Sequence, residues 1–317
     1  MSAPEILSTG SCVPTQVVTN EMLAQRVDTS DEWVFSRTGI HSRRHCSGGE
    51  NGVAMAAQAA RQALERAGVK PEEVGVCLVA TFTPDFASHS TACLLQRELG
   101  LLEDTICFDL NAACAGFVYA LHTAHSLLSG ASRPYALVLG CEVISRVLDM
   151  DDRSTCVLFG DGAGAVLVRR REDACWHTVF GSRGDDMSIR VQGPGPEKAA
   201  VHMEGQAVFR FAVEVAEKSV RQLLEQEGIG IGDLDWIVCH QANARITEFL
   251  AKRLRADASL FYQNIDHCGN TSAASIPLAL DELQRAGGLR KGMRVLLVGF
   301  GGGPGPEHCC VGEEETE

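Results

Sequence analysis

Two stretches of this chain repeat the same pattern at an offset of half its length. The segments RQALERAGVKPEEVGVCLVATFT, from Arg61 to Thr83, and RQLLEQEGIGIGDLDWIVCHQAN, from Arg221 to Asn243, begin 160 residues apart. Each indicates the end of an amphipathic helix, a glycine stop, an acidic turn and an apolar strand. A second strand-like pair, PYALVLGCE and MRVLLVGFG, falls at nearly the same offset. The repeat predicts two similar halves that alternate helix and buried strand.

The apolar runs within the repeat indicate the class of sheet. VGVCLVA, YALVLG and RVLLVG are continuous rather than alternating, which is typical of strands covered by helices on both faces. We therefore predict an α/β protein in two halves, 1–170 and 171–317, with the boundary near the charged segment VLVRRREDACWHT. The length of 317 residues suits two halves of ordinary domain size.

Charge and composition exclude several classes of function. A net charge of -13 argues against nucleic acid as the main partner. The N-terminal MSAPEILSTGSCVP lacks the pattern of a signal peptide, and no apolar run reaches the length of a membrane helix, so we expect a cytoplasmic protein without a membrane partner. The 13 cysteines include no CxxC pair and no zinc-like spacing, so no metal is implied. GDGAG and GFGGGPG match neither phosphate-loop pattern, so no nucleotide cofactor is expected.

Reactive residues follow several of the predicted strands. Cys114 comes after TICFDLNAA, His240 after DWIVC, Asn270 after FYQNIDHCG, and the glycines 301–303 after RVLLVGF. Because ligand sites in open α/β sheets gather at the carboxyl ends of strands, we expect these segments to converge. Cys114 also stands where a strand pattern turns into a helix pattern. There the unpaired amides and the helix dipole favour the nucleophilic thiolate.

Each of these residues, taken alone, could have a purely structural role. Cys114 could be a packing thiol, His240 a core histidine and Asn270 a turn or cap residue. Together they supply a nucleophile, a proton or hydrogen-bond donor, and a second donor. Papain-like proteases carry Cys, His and Asn in the same order, but their cysteine lies near the mature N-terminus in a motif that this chain lacks. The protease hypothesis is therefore disfavoured.

Six motifs in order give the chain a family resemblance: DTSDEWVFSRTGI, DLNAACAGFVYAL, FGDGAGAVL, HQAN, GNTSAAS and GFGGG. From the N-terminus to about Gly303 it resembles the β-ketoacyl-acyl carrier protein (ACP) synthases III of the thiolase superfamily. The resemblance implies a duplicated thiolase-like fold, five-layered αβαβα with two mixed sheets, and a homodimer. It also implies a two-stage reaction that initiates fatty acid biosynthesis. Cys114 accepts an acyl group from acyl-CoA; malonyl-ACP then loses CO2, and its carbanion attacks the thioester.

The resemblance also implies roles for individual residues. The catalytic residues would be Cys114, His240 and Asn270, and the amides of Cys114 and Gly302 would form the oxyanion hole. The adenine of CoA, which enters as a substrate and not as a cofactor, would lie between Trp33 and Arg153. Contacts near the adenine and phosphates would come from Thr29 and Arg37, whose guanidinium suits a phosphate.

An acidic carrier protein requires a local positive patch on an acidic enzyme. The candidates are Arg210, Arg245, Lys252 and Arg253, of which the last three share one face of a predicted helix. The alternative is an ordinary solvated face.

The acyl pocket and the C-terminus depart from the family pattern. In the family a Phe from the partner subunit closes the acyl pocket; alignment on TPD places Ser88 there, whereas a two-residue shift restores Phe86. A serine would widen the pocket for longer acyl groups. After GGG, the segment PGPEHCCVGEEETE replaces the family's turn and puts the last strand in question. Two other functions stay open: a starter synthase or acyltransferase of secondary metabolism (polyketide or quinolone type), and a non-catalytic partner subunit.

Overall fold

The structure is a computed structural model. It describes residues 2–172, 176–182, 188–192 and 200–301, and the backbone alone of 306–312. Its strands are β1 Ala3–Cys12, β2 Gln16–Thr19, β3 Ser42–His45, β4 Val74–Ala80, β5 Ile106–Leu110, β6 Tyr135–Glu142, β7 Gly162–Arg171, β8 Thr178–Phe180, β9 Ile189–Val191, β10 Val201–Met203, β11 Trp236–Cys239, β12 Phe261–Tyr262, β13 Arg294–Phe300 and β14 Pro306–Gly312. Its helices are α1 Asn20–Leu23, α2 Asp31–Thr38, α3 Gly52–Ala67, α4 Thr91–Leu99, α5 Gly116–Leu128, α6 Arg153–Cys156, α7 Gly205–Glu227, α8 Ala244–Leu254, α9 Ile265–Cys268 and α10 Ser275–Arg285.

The two large sheets have the same order and the same strand directions. One runs β5-β4-β6-β7-β1 and the other β12-β11-β13-β14-β8. In the first, β4 is parallel to β5 and β6, and β7 is antiparallel to β6 and β1. In the second, β11 is parallel to β12 and β13, and β14 is antiparallel to β13 and β8. The fold is therefore duplicated, with two mixed sheets, as expected.

Helices separate and cover the two sheets. The buried faces of α5 and α10 pack between the sheets, against residues of β4 and β6 on one side and of β11 and β13 on the other. The outer face of the first sheet packs against α3 and α4, and that of the second against α7 and α8. The continuous apolar runs follow from this arrangement, because helices cover β4, β6, β11 and β13 on both faces. The layers are αβαβα, which confirms the predicted fold class.

The sequence repeat corresponds to a repeated helix–strand unit. In the first half, α3 ends at Gly68, with φ +66°, and leads through a 3₁₀ turn to β4. In the second, α7 ends at Gly228, with φ +69°, and leads through an equivalent turn to β11. A left-handed residue at the end of a helix favours glycine, which explains the glycine stop in both copies. The division into 1–170 and 171–317 stays a prediction, although β7 ends close to it, at Arg171.

The unusual C-terminal segment retains a last strand. β14 pairs with β13 in antiparallel register, with Pro306 opposite Phe300. Proline at the first position of a strand removes only one ladder donor, so the pairing tolerates it. Gly302 and the acidic residues 313–317 lie outside the described residues. Among the described helices, none has the length and apolar character that crossing a membrane requires.

Candidate active site

The candidate nucleophile lies in a strained turn between a strand and a helix. Cys114 occupies the 3₁₀ turn Ala113–Ala115, which links β5 to α5. Ala113 has φ +47°, a left-handed conformation that costs free energy in a residue with a Cβ. The side-chain oxygen of Asn111 stabilises the turn by accepting from the backbone N–H of Ala113 at 3.0 Å. The turn places a nearly buried thiol at the N-terminal end of α5, where the helix dipole favours the thiolate.

The turn that carries Asn270 repeats the geometry of the nucleophile turn. The 3₁₀ turn Ser272–Ala274 precedes α10 as Ala113–Ala115 precedes α5, and Ser272 has φ +51°. The Oδ1 of Asn270 accepts from the backbone N–H of Ser272 at 2.9 Å. In the first turn, the Oδ1 of Asn111 accepts from the backbone N–H of Ala113 in the same way. This bond fixes which end of the amide is the oxygen. The NH2 group of Asn270 is left to donate into the cavity that the residue lines.

His240 follows β11 and is buried, with 2% of its surface exposed. Burial lowers the pKa of its imidazole to about 3, so the ring is neutral in the folded protein at neutral pH. The ring contacts Phe300 edge-on, with centroids 5.3 Å apart. Its Nδ1 lies 2.7 Å from the hydroxyl of Ser275, which donates to the carbonyl of Ser272 at 2.8 Å.

The hydroxyl of Ser275 determines what His240 can do. Since its single hydrogen points to the carbonyl of Ser272, Nδ1 of His240 must be the donor in the contact with Ser275. Nε2 then carries a lone pair. A neutral ring in this tautomer accepts a proton at Nε2. Donation from Nε2 requires that it first take up a proton.

Gly301, the first residue after β13, lies against Cys114. A Cβ added to Gly301 would lie 2.6 Å from the Cβ of Cys114 and 2.9 Å from its backbone nitrogen, closer than carbon atoms approach without a clash. Only glycine allows this approach. The predicted oxyanion donor, Gly302, is the next residue and lies outside the described residues.

The three candidate catalytic residues and Gly301 line one cavity. Its other walls are mostly apolar and come from both halves and from the small sheet of β9 and β10. These residues are Leu158, Ser188, Ile189, Met203, Gly205, Val208, Phe209, Phe211, Ala212, Ala242, Asn243, Ile246 and Phe300. Sequence analysis did not identify them, because an apolar cavity wall has the same composition as a core. Ser275 was missed as well, although its place in GNTSAAS, at the start of α10, was a usable signal.

The candidate CoA residues lie together outside the cavity. The guanidinium carbons of Arg37 and Arg153 lie 4.5 and 4.8 Å from the ring centroid of Trp33. The buried hydroxyl of Thr29 has no hydrogen-bond partner among the described residues. Asn243, a cavity residue, donates to the carbonyl of Arg37 at 3.0 Å, which connects this cluster to the cavity.

The candidate carrier-protein cations are exposed on two neighbouring helices, Arg210 on α7 and the other three on α8. Arg253 forms an ion pair with Glu217 at 3.0 Å, and Lys252 lies over the ring of Phe249. Arg245 lines a surface groove together with Arg37, which places it beside the candidate CoA cluster.

The two candidate acyl-pocket residues do not line the cavity of the single chain. Phe86 is 57% exposed and Ser88 is exposed, both in the loop between β4 and α4. This placement is compatible with a role in a partner subunit and does not distinguish the two alignments.

Comparisons with known proteins identify relatives over nearly the whole chain. Residues 108–184 match the family model of 3-oxoacyl-(acyl-carrier-protein) synthase III, and residues 224–305 match its C-terminal model. The chain is similar to the β-ketoacyl-(acyl-carrier-protein) synthase III of Clostridium acetobutylicum, with 45% identity and 96% of each chain covered. A solved 3-oxoacyl-(acyl-carrier-protein) synthase III from Aquifex aeolicus superposes with a TM-score of 0.91 at 39% identity, covering 98% of this chain and 99% of that one. A priming β-ketosynthase from a polyketide biosynthetic pathway superposes with a TM-score of 0.93 at 34% identity, covering 99% and 97%.

Proposed function

This chain belongs to the β-ketoacyl-acyl carrier protein synthase III family and is a condensing acyltransferase, and we propose that it carries its starter acyl group on Cys114. The observation that carries the proposal is the convergence of Cys114, His240 and Asn270 on one cavity. A non-catalytic partner subunit, which is the alternative function, would not require these three residues to converge. The intact constellation therefore favours an active enzyme.

In the first stage Cys114 attacks the thioester carbon of an acyl-CoA. Nε2 of His240 carries the lone pair and takes the thiol proton, while the N-terminal end of α5 stabilises the thiolate. A new C–S bond forms to Cys114, the bond to the CoA sulfur breaks, and the CoA thiolate takes the proton from Nε2 of His240, which returns to its neutral form. The amides of Cys114 and Gly302 are proposed to hold the tetrahedral oxyanion.

In the second stage the malonyl group of malonyl-ACP loses CO2. Negative charge then develops on its thioester oxygen, where the NH2 group of Asn270 donates, and Nε2 of His240 donates once it has taken up a proton from solvent as that charge develops. The loss of one such donor costs about 3 kcal/mol in related reactions. The carbanion attacks the acyl-Cys114 thioester, and the departing sulfur recovers its proton from His240.

The substrates and the assembly are proposed as follows. Acyl-CoA enters over Trp33, whose ring binds the adenine together with Arg153, and the cations Arg210, Arg245, Lys252 and Arg253 receive the acidic ACP. The enzyme is a homodimer in which the loop with Phe86 and Ser88 closes the partner's acyl pocket. The buried cysteines Cys77, Cys141 and Cys239 are reduced thiols, which supports a cytoplasmic location.

A starter synthase of secondary metabolism is the second candidate. The similarity to the priming ketosynthase of a polyketide pathway favours it, because that protein superposes as well as the synthase III from Aquifex aeolicus does. The two candidates share the same chemistry on Cys114 and differ in the acyl group that they accept.

One experiment tests the proposal and separates the candidates. The protein is incubated with acyl-CoAs of increasing chain length and its intact mass is measured. We expect a mass increase of one acyl group in the wild type and none in Cys114→Ala, whose small side chain suits the Ala-rich turn. Labelling of Cys114→Ala would contradict the assignment. The acyl group accepted fastest identifies the starter.

A further inference from the structure

A second cluster of reactive side chains lies outside the cavity. The donor atoms of His267, Cys268 and Glu282 all lie within 4.8 Å of one another. His267 and Cys268 end α9, whereas Glu282 lies on α10, so two elements converge on one point. None of the three lines the catalytic cavity. We propose that these side chains bind one divalent transition-metal ion, with zinc as the best match; the proposal does not depend on the proposed function.

The spacing of the donor atoms is close to that of a tetrahedral zinc site. Nε2 of His267 lies 3.2 Å from a carboxylate oxygen of Glu282, and Sγ of Cys268 lies 3.7 Å from the same oxygen. With the usual bond lengths of zinc, a tetrahedron has about 3.3 Å between nitrogen and oxygen and about 3.5 Å between sulfur and oxygen. These two distances are therefore within a few tenths of an ångström of those in a tetrahedral site.

A neighbouring carboxylate orients the histidine in the manner of known metal sites. Oδ1 of Asp266 lies 2.8 Å from Nδ1 of His267, so it accepts from the Nδ1–H and directs Nε2 toward Glu282. Metal-bound histidines commonly donate their second N–H to a carboxylate in this way. The other carboxylate oxygen of Glu282 lies 3.4 Å from the hydroxyl of Tyr262, which restrains the glutamate as well.

The cluster is open to solvent on one side only. The side chain of His267 is 52% exposed and that of Glu282 20% exposed, whereas Cys268 is buried beneath them. An ion can enter from the His267 side, and water can supply the fourth ligand. The thiol of Cys268 gives its proton to solvent when it binds, as does any proton on Nε2. The negative charges of the thiolate, Glu282 and Asp266 then compensate the charge of the ion.

The test is a zinc titration of the metal-stripped, full-length protein in competition with a chromophoric chelator. We expect one tight site per chain in the wild type. His267→Ala should weaken it by about 100-fold or more and Asp266→Asn by about tenfold. Cys93→Ser removes an exposed thiol outside the cluster and should leave the affinity unchanged. Because His267 is exposed, its truncation spares the core, and circular dichroism verifies the fold.

Cobalt substitution gives an independent readout. A thiolate-to-cobalt charge-transfer band should appear in the wild type and in Cys93→Ser, and should be lost in Cys268→Ser. The proposal is overturned if the wild type binds no zinc in competition with the chelator. Unchanged affinity in His267→Ala would overturn it equally, because any bound ion would then belong to other thiols.

Discussion

The contact between Gly301 and Cys114 allows a quantitative prediction for Gly301→Ala. The added methyl carbon would lie 2.6 Å from the Cβ of Cys114, whereas carbon atoms in contact are about 3.5–4.0 Å apart. The two segments must therefore separate by about 1 Å. A misplacement of about 1 Å in a catalytic group costs on the order of 100-fold in rate. We expect acylation of the enzyme by acyl-CoA to slow by about that factor.

A matched control is available in the same cavity. A Cβ added to Gly205 meets only the terminal methyl carbon of Met203, at 3.8 Å, which is an ordinary contact. Gly205→Ala should therefore keep the acylation rate within about twofold of the wild type, since no backbone must move. Both variants add one methyl group to the cavity wall, so a difference between them reports the displacement of Cys114 and not the lost volume.

The measurement is the rate of acyl-enzyme formation by rapid quench and intact mass, with thermal unfolding in parallel. Overpacking at Gly301 should destabilise the fold by about 1–3 kcal/mol, so the rates are compared well below the unfolding transition. If Gly301→Ala acylates at the wild-type rate, Gly301 is not packed on Cys114 as described, and the proposed oxyanion donor Gly302 loses its support.

Four further perturbations test the proposed roles. His240→Ala should reduce CO2 release from malonyl thioester by about 100-fold or more and slow acylation less, because α5 also stabilises the thiolate; normal CO2 release would show that the role is wrong. The unfolded imidazole titrates near its ordinary pKa of about 6.5, whereas burial lowers the pKa of His240 to about 3. The unfolded state therefore binds a proton below pH 6.5 that the folded state does not. Stability should fall as the pH drops from about 7 toward 3, and denaturant titrations should show a flatter dependence in His240→Gln than in the wild type. Arg245→Glu should raise the KM for malonyl-ACP far more than that for acyl-CoA, with the difference shrinking in added salt; an equal effect would indicate a solvated face. Ser88→Phe should shift the preference from longer acyl-CoAs to acetyl-CoA, since each buried methylene contributes about 0.8 kcal/mol; no change would favour Phe86 as the pocket floor.

Features with a local pattern were predictable from the sequence. The helix, glycine stop and strand of each repeat were visible because helical periodicity, left-handed glycine and buried apolar runs all act over a few residues. The convergence of Cys114, His240 and Asn270 followed from the rule that strand ends share an edge of the sheet. The choice between Phe86 and Ser88 was not predictable, because in the proposed homodimer the pocket that either would close belongs to the other subunit.

Features that depend on contacts between distant segments could not be predicted. The tautomer of His240 depends on Ser275, 35 residues away, and no local pattern records which group the hydroxyl faces. The cavity walls contributed by Ile189 and Met203 come from the small β9–β10 sheet. The cluster of His267 and Cys268 was missed because its third member, Glu282, lies on the next helix and shows no metal-binding spacing.

The repeated turns have a consequence for how this enzyme can evolve. Each turn packs on a strand end of the opposite half: Cys114 on Gly301, and Ala273 on Gly140, where an added Cβ would lie 2.1 Å from the Ala273 carbonyl oxygen. A substitution at this contact in either half therefore displaces the turn that carries a reactive residue of the other half. The two copies cannot diverge independently at this contact. Specificity is freer to diverge in the apolar cavity walls, which take no part in this contact. Descendants of such a duplication should share their chemistry and differ in the acyl groups they accept.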